Sequence, residues 1–322
     1  MLNKIYHWID RNILELWREL RLSFLPPLMV YMAYGISGLT SIVGVFFVKE
    51  YLDLSAEFLA ALMFWANIPW ALKMPMGHIV DLMWRFKSIL VYIGASLIAA
   101  SLLIMMGLLS HPDDMRAVMP LSAWYVLSAL LAPVGYVVQD VVADAMTVEA
   151  VPRVDKQGKP IDPARIRLMH TTMQTLGRVA VVGGGILVAM LNIYKFNGVD
   201  VMNEADKVAV YIDIFQLALL IPLVSVIGVG LGGYLKLRDA RRLQAQGFSW
   251  QQAWHLVHGE VEETAPNWFI LIGSLVFVAF TISIGLSELP LREEIIFTGS
   301  MAIVLFLMVR LLKVLDDDAR RI

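Results

Sequence analysis

Long apolar runs, each bounded by charged or turn-forming residues, dominate this chain. A bilayer core takes ~20 apolar residues per helix, within a range of about 17–25. Runs of that size fall at about 26–48, 56–76, 88–109, 119–146, 169–193, 209–235, 267–288 and 294–314. Alternation of period two, the mark of a membrane barrel strand, is absent from these runs. The pattern predicts an all-α, polytopic membrane helix bundle. Ahead of it, Leu2, Ile5, Trp8, Ile9, Ile13, Leu16, Trp17 and Leu20 gather on one side of a helical wheel with charges interleaved. Residues 1–25 are therefore expected to form an amphipathic helix along the inner headgroup surface. Its charges make it too polar for a cleavable signal, and Pro26 and Pro27 mark the start of the first span.

Composition agrees with the pattern. Of 322 residues, 58% are apolar and 17% charged, against about 45–50% and 25% in soluble domains. The net charge of −2 argues against a nucleic-acid partner, which needs a basic surface. Cysteine is absent, which excludes disulfides, thiolate catalysis and Cys-ligated metals. Basic residues set the expected orientation. With the N-terminus inside, 19 of the 26 Lys and Arg residues fall on the inner side and 5 outside, while Lys73 and Arg178 lie within spans. This predicts a multi-pass protein of a bacterial inner membrane or a plasma membrane, with a cytoplasmic N-terminus.

The spans group as six (26–235), a polar cytoplasmic connector (236–266) and two more (267–322). Within the connector, Ser249 and Gln252 fit a capping box, and Trp250, Trp254 and Val257 are expected to share the apolar side of the short helix that follows. Six spans, a basic connector and further spans is how twelve-span carriers are built, with solute held between two six-helix halves. The ending AspAspAspAlaArgArgIle reads as a loop leading toward another span. The expectation is a complete six-helix first half followed by two helices of a truncated second half, with an eight-span protein of another kind as the alternative.

Charged groups within spans are costly, by ~2.5–3.5 kcal/mol on insertion scales, and mark functional candidates. Lys73 lies in the second span, Asp140 and Asp144 in the fourth, and Arg178 in the fifth. Asp140 and Asp144 are one helical turn apart, hence on one face. Arg178 lies about nine residues above His170, roughly 13 Å at 1.5 Å per residue, so all four are placed in the inner half of the bundle. One reading gives them solute binding and proton coupling, a carboxylate raised by desolvation and opposed by a nearby cation. The other makes them static ion pairs, a role that suits Asp144 and Glu149, nearer the cytosol. Tyr34, Asn67, Trp70 and Gln174 are expected to line the cavity. Glycines at 35, 38, 183–185, 228, 230, 232 and 233 are expected to let helices approach closely.

Catalytic constellations are missing. The sequence contains no HisGluXaaXaaHis, GlyXaaSerXaaGly or Walker motif, and its six histidines are scattered. GlyValGlyLeuGlyGly at 228–233 lies inside an apolar run with no strand before it, so it is no dinucleotide fingerprint. No enzyme activity, catalytic residue, cofactor or metal is expected.

The stretch IleProTrpAlaLeuLysMetProMetGlyHisIleValAspLeuMetTrpArgPheLys covers residues 68–87. Its Gly77, Asp81, Arg85 and Lys87 resemble the major facilitator signature between spans two and three, with Leu82 where the family usually has a base. That resemblance implies a cytoplasmic gate formed by Gly77, Asp81 and Arg85, with Glu149 placed beside it. More narrowly, Pro69, Trp70, Lys73, Pro75, Gly77 and Asp81 resemble the second-span motif of the folate–biopterin transporters. AspValValAlaAspAlaMetThrValGlu at 140–149 resembles their fourth-span motif. Gln139–Ala145 is also similar to a pattern in the muropeptide-permease branch. The resemblance implies a monomeric secondary transporter of a pterin- or folate-like solute, coupled to protons, with Lys73, Asp140, Asp144 and Arg178 as its polar network. A permease for muropeptide or another solute is the alternative within the superfamily. A non-transporting membrane scaffold is the alternative outside it.

Overall fold

The computed structural model describes residues 20–47, 52, 54–155, 157–258, 265–287 and 289–314. The expected amphipathic helix at 1–25 lies outside them up to residue 19, as does the acidic ending at 316–322. The described residues form thirteen α-helices: α1 Leu25–Gly35, α2 Ser41–Phe47, α3 Ala56–Ala71, α4 Lys73–Leu82, α5 Lys87–Ser110, α6 Pro112–Val118, α7 Leu121–Ala150, α8 Pro163–Lys195, α9 Glu204–Ala218, α10 Leu220–Ala245, α11 Trp250–His258, α12 Trp268–Gly285 and α13 Arg292–Val314. No strand occurs among them, only an isolated bridge between Val154 and Pro160. Among the described residues, six stretches are long and apolar enough to cross a membrane: Leu22–Val45, Trp84–Ser110, Leu121–Ala150, Pro163–Lys195, Glu204–Ala245 and Trp268–Gly285. The chain is an all-α polytopic membrane bundle.

Local chemistry explains the boundaries. Proline opens α6 and α8 and stands in the first turn of α1, where its missing N–H costs nothing. Asn203 and Asn267 cap α9 and α12, accepting from the amides of Asp206 (2.9 Å) and Ile270 (3.3 Å). The apolar run at 56–76 is not one helix. It divides at Leu72 into α3 and α4, because Pro69 and Pro75 each withdraw a backbone donor on either side of the break. The sixth run does not stop at 235 either, since α10 continues to Ala245.

Two compact units result. One comprises residues 20–71 and 83–258, the other 72–82 and 265–314. In the first, Ile98, Leu102, Met105 and Leu108 of α5 pack with Tyr211, Ile214 and Phe215 of α9 and with Leu39 and Val43. Polar side chains pair across the same helices. Ser101 Oγ donates to the Ser128 carbonyl (2.8 Å) and Ser128 Oγ to the Ser101 carbonyl (3.0 Å). Gln139 donates to the Val91 carbonyl (3.3 Å) and accepts from Ser225 Oγ (3.0 Å), tying α5, α7 and α10. Outside, α8 exposes Val182, Ile186, Met190 and Ile193 at helical spacing, a face suited to lipid. In the second unit, α12 pairs with α13, and the buried His78 of α4 accepts from the Asn267 amide (2.7 Å).

Glycines set two crossings. A methyl group at Gly184 would sit 2.8 Å from the Gly35 backbone, and one at Gly94 would sit 2.7 Å from the Gly135 carbonyl oxygen. Backbone cannot rotate aside as a side chain can. Gly184→Val is therefore expected to cost about 1–3 kcal/mol. Gly183→Val, whose position opens onto free space, should be near neutral. Thermal midpoints of the two variants in detergent check this pair.

At the basic end of α10 the chain reverses at Gly247, whose φ is 101°. The capping box forms as expected: Ser249 N donates to Gln252 Oε1 (3.0 Å) and Gln252 N to Ser249 Oγ (3.2 Å). The expected apolar side of α11 is in fact two sides. Ala253, Leu256 and Val257 pack on Ala240 and Leu243 of α10. Trp250 and Trp254 form a separate row, each 41% exposed. The cause is angular: residues 253, 256 and 257 centre on one stripe, and 250 and 254 flank it.

Candidate functional site

Three of the four charges predicted to meet do so around one residue, Tyr31. Its α1 position places the ring against Gly177 of α8, where a methyl group would lie 2.9 Å from the ring edge. The Tyr31 hydroxyl donates to Asp144 of α7. Asp140, one turn away on the same face, and Arg178, next to Gly177, both act electrostatically on that hydroxyl. Asp140 is 7% exposed. Arg178 is exposed and Asp144 intermediate, so the cluster opens on the α8 side. One turn further along α7, Tyr136 meets the Tyr34 ring (6.2 Å between centroids), and Trp70 of α3 meets the same ring (5.2 Å). Polar cluster and aromatic cluster thus share α1 and α7. Toward the other end, Gln174 donates to Thr147 Oγ1 (3.4 Å).

The other predicted residues are placed as follows. Asn67 is exposed and donates to the Met63 carbonyl of its own helix (2.8 Å). Lys73 is the first residue of α4, in the second unit. Gly77 and Asp81 follow on α4, and Arg85 stands exposed in the 3-10 turn Trp84–Phe86 of the first unit. Desolvation pushes the Asp81 carboxyl above its ordinary range, against the pull of His78. Glu149 belongs to an ion cluster: Lys87 of α5 bonds one of its carboxylate oxygens (2.5 Å) and Lys236 of α10 the other (2.6 Å). Lys87 also donates to the Trp84 carbonyl (3.0 Å) and lies 4.0 Å from the centre of the Trp84 ring. Among the described residues no group of His, Asp and Glu is arranged to hold a metal ion.

His258 closes over this cluster from α11. Its ring stacks on Trp254 (4.0 Å) and its Nδ1 lies 3.1 Å from the Trp254 carbonyl. Burial holds the imidazole below its ordinary pKa, with Lys236 and Lys87 acting the same way and Glu149 and the Trp254 carbonyl opposing. The unfolded chain therefore takes up this proton first. This group leaves stability unchanged above about pH 6.5, and stability falls as pH drops below that point until the folded imidazole protonates too. His258→Gln is expected to flatten that part of the profile, read as thermal midpoint against pH.

Sequence reasoning placed Asp140, Asp144 and Arg178 but missed the side chain that joins them. In sequence Tyr31 carries one signal, a phenol in an apolar run. Lys236 reads in sequence only as part of the basic start of the connector, because nothing there links it to Glu149, 87 positions away.

Fold and site together define a multi-pass α-helical membrane protein with ionisable groups gathered among its spans. Comparison of the chain with protein-family models, curated proteins and solved structures gives no match.

Proposed function

We propose that this protein is a secondary transporter of the major facilitator type, moving a small organic solute by alternating access with proton coupling. The observation that carries this reading is the Tyr31–Asp144 pair, with Asp140 and Arg178 in electrostatic reach, built between apolar helices. Ionisable groups are retained at such positions where ions, protons or solutes pass. Protonation of a carboxylate here weakens its hold on the neighbouring cation and frees that cation for an anionic solute. Solute and proton then favour the same conformation, and linkage makes their coupling reciprocal. Lys73 and the Gly77–Asp81–Arg85 signature enter through the family resemblance.

The solute class comes from the family resemblance, and the aromatic cluster supports it. Tyr34, Trp70 and Tyr136 gather their rings about one helical turn along α1 and α7 from the charged cluster, a pairing that suits a planar heteroaromatic anion such as a pterin or folate. The test is uptake of labelled folate, pterin and muropeptide by vesicles containing this chain, with and without an inward proton gradient. Gradient-stimulated uptake of the pterin or folate is the expected result. Uptake of the muropeptide alone would move the assignment to the permease branch. No uptake or binding of any of the three would refute the reading.

A further inference from the structure

We propose that the elbow between α10 and α11 is a docking surface for anionic phospholipid headgroups. Along α10 the exposed apolar residues Leu220, Leu223, Ile227 and Tyr234 follow helical spacing on one face. Four and seven residues beyond Tyr234, on the same face, stand Arg238 and Arg241. The face thus runs from aliphatic to aromatic to basic, the order met on leaving a bilayer through its headgroups. Arg238 lies roughly 6 Å and Arg241 roughly 10 Å beyond Tyr234 along the axis. The headgroup layer adds about 5–8 Å per leaflet, and arginine stems reach back toward it.

The returning helix brings aromatic side chains to the same depth. Ala253 of α11 packs on Ala240 of α10, so Trp254, the next residue, lies near the level of Ala240. The Trp250 and Trp254 rings meet at a tilt with 5.5 Å between centroids, and Trp254 stacks on His258, giving an aromatic row. The neighbouring stripe of α11 is occupied by α10, and Trp250 and Trp254 beside it are each 41% exposed. Charge selects the occupant. With Lys236 bound to Glu149, residues 237–258 carry Arg238, Arg241 and Arg242 against one acid, Asp239. Asp239 accepts from Arg238 Nε (3.2 Å) and Nη2 (3.0 Å), yet an arginine has five N–H donors. Basic groups and exposed tryptophans gathered at one depth suit a phosphate-bearing interface.

The cysteine-free sequence makes the test site-specific. Gln251 is exposed and adjoins the tryptophan row, so Gln251→Cys takes an environment-sensitive fluorophore without disturbing Trp250 or Trp254. The labelled chain is placed in vesicles of phosphatidylcholine, alone or mixed with phosphatidylglycerol. Quenching by headgroup spin-labelled lipid is expected to be about twofold stronger in the anionic mixture, with the gain lost in Arg238→Gln/Arg241→Gln. Arg241→Gln alone, at an exposed position, is expected to lose part of the gain and guards against misfolding of the double variant. Equal quenching in both mixtures would overturn the proposal. So would access by aqueous iodide alone, or energy transfer between labelled copies, which would assign the surface to a second chain.

Discussion

Glu149→Gln is expected to be the most destabilising single change in the first unit. Its carboxylate holds two lysines from two other helices, and the Glu149 and Lys87 side chains are only 13% and 9% exposed. Removing one partner of a buried pair costs about 3–5 kcal/mol, because the remaining charge keeps its desolvation cost without its partner. Here one substitution leaves two cations facing each other. Lys236→Gln should cost less, since Glu149 keeps Lys87 and the Lys236 side chain is 26% exposed. Replacing Lys87 by Met in the Glu149→Gln background should restore part of the loss. Thermal unfolding of the four proteins in one detergent measures all of this. A midpoint for Glu149→Gln equal to the unmodified chain would show that the ion cluster adds nothing.

The second large effect is expected at the Tyr31 cluster. Under the proposed function, Asp140→Asn and Asp144→Asn remove a titrating carboxylate while keeping its size. Uptake driven by a proton gradient should fall on the order of tenfold or more, the range of a coupling energy of about 1–3 kcal/mol. Uptake down the solute's own gradient should fall less. Tyr31→Phe keeps the ring that packs on Gly177 and removes the hydroxyl that donates to Asp144. It should therefore shift the pH dependence of uptake without unfolding the protein. The split between driven and passive uptake separates a coupling role from a structural one, since a merely structural change lowers both together.

Most of the fold was legible because lipid and chain obey one strong rule, that a spanning backbone satisfies its own hydrogen bonds. Apolar run lengths therefore located most of the helices. What could not be read was where prolines would interrupt a run, as at Leu72, and how far a helix would continue into polar sequence, as α10 does. Site charges were legible for the same reason as the spans, since Asp140, Asp144 and Arg178 violate the apolar pattern around them. Tyr31 violates nothing, being amphipathic and common in such helices, and only the approach of α1, α7 and α8 identifies it. The α11 helix shows the limit of pattern in another way. Its capping box was recognisable from two residues at fixed spacing, whereas the division between its α10-facing and outward sides depends on which stripe α10 covers.

Solute-dependent proton entry is the most direct measure of the proposed mechanism. Vesicles containing the chain and a trapped pH indicator are given the transported solute with no imposed gradient. The account predicts internal acidification that follows solute entry and vanishes in Asp140→Asn or Asp144→Asn. Solute entry with no proton movement, or acidification unchanged when both carboxylates are neutralised together, would contradict it.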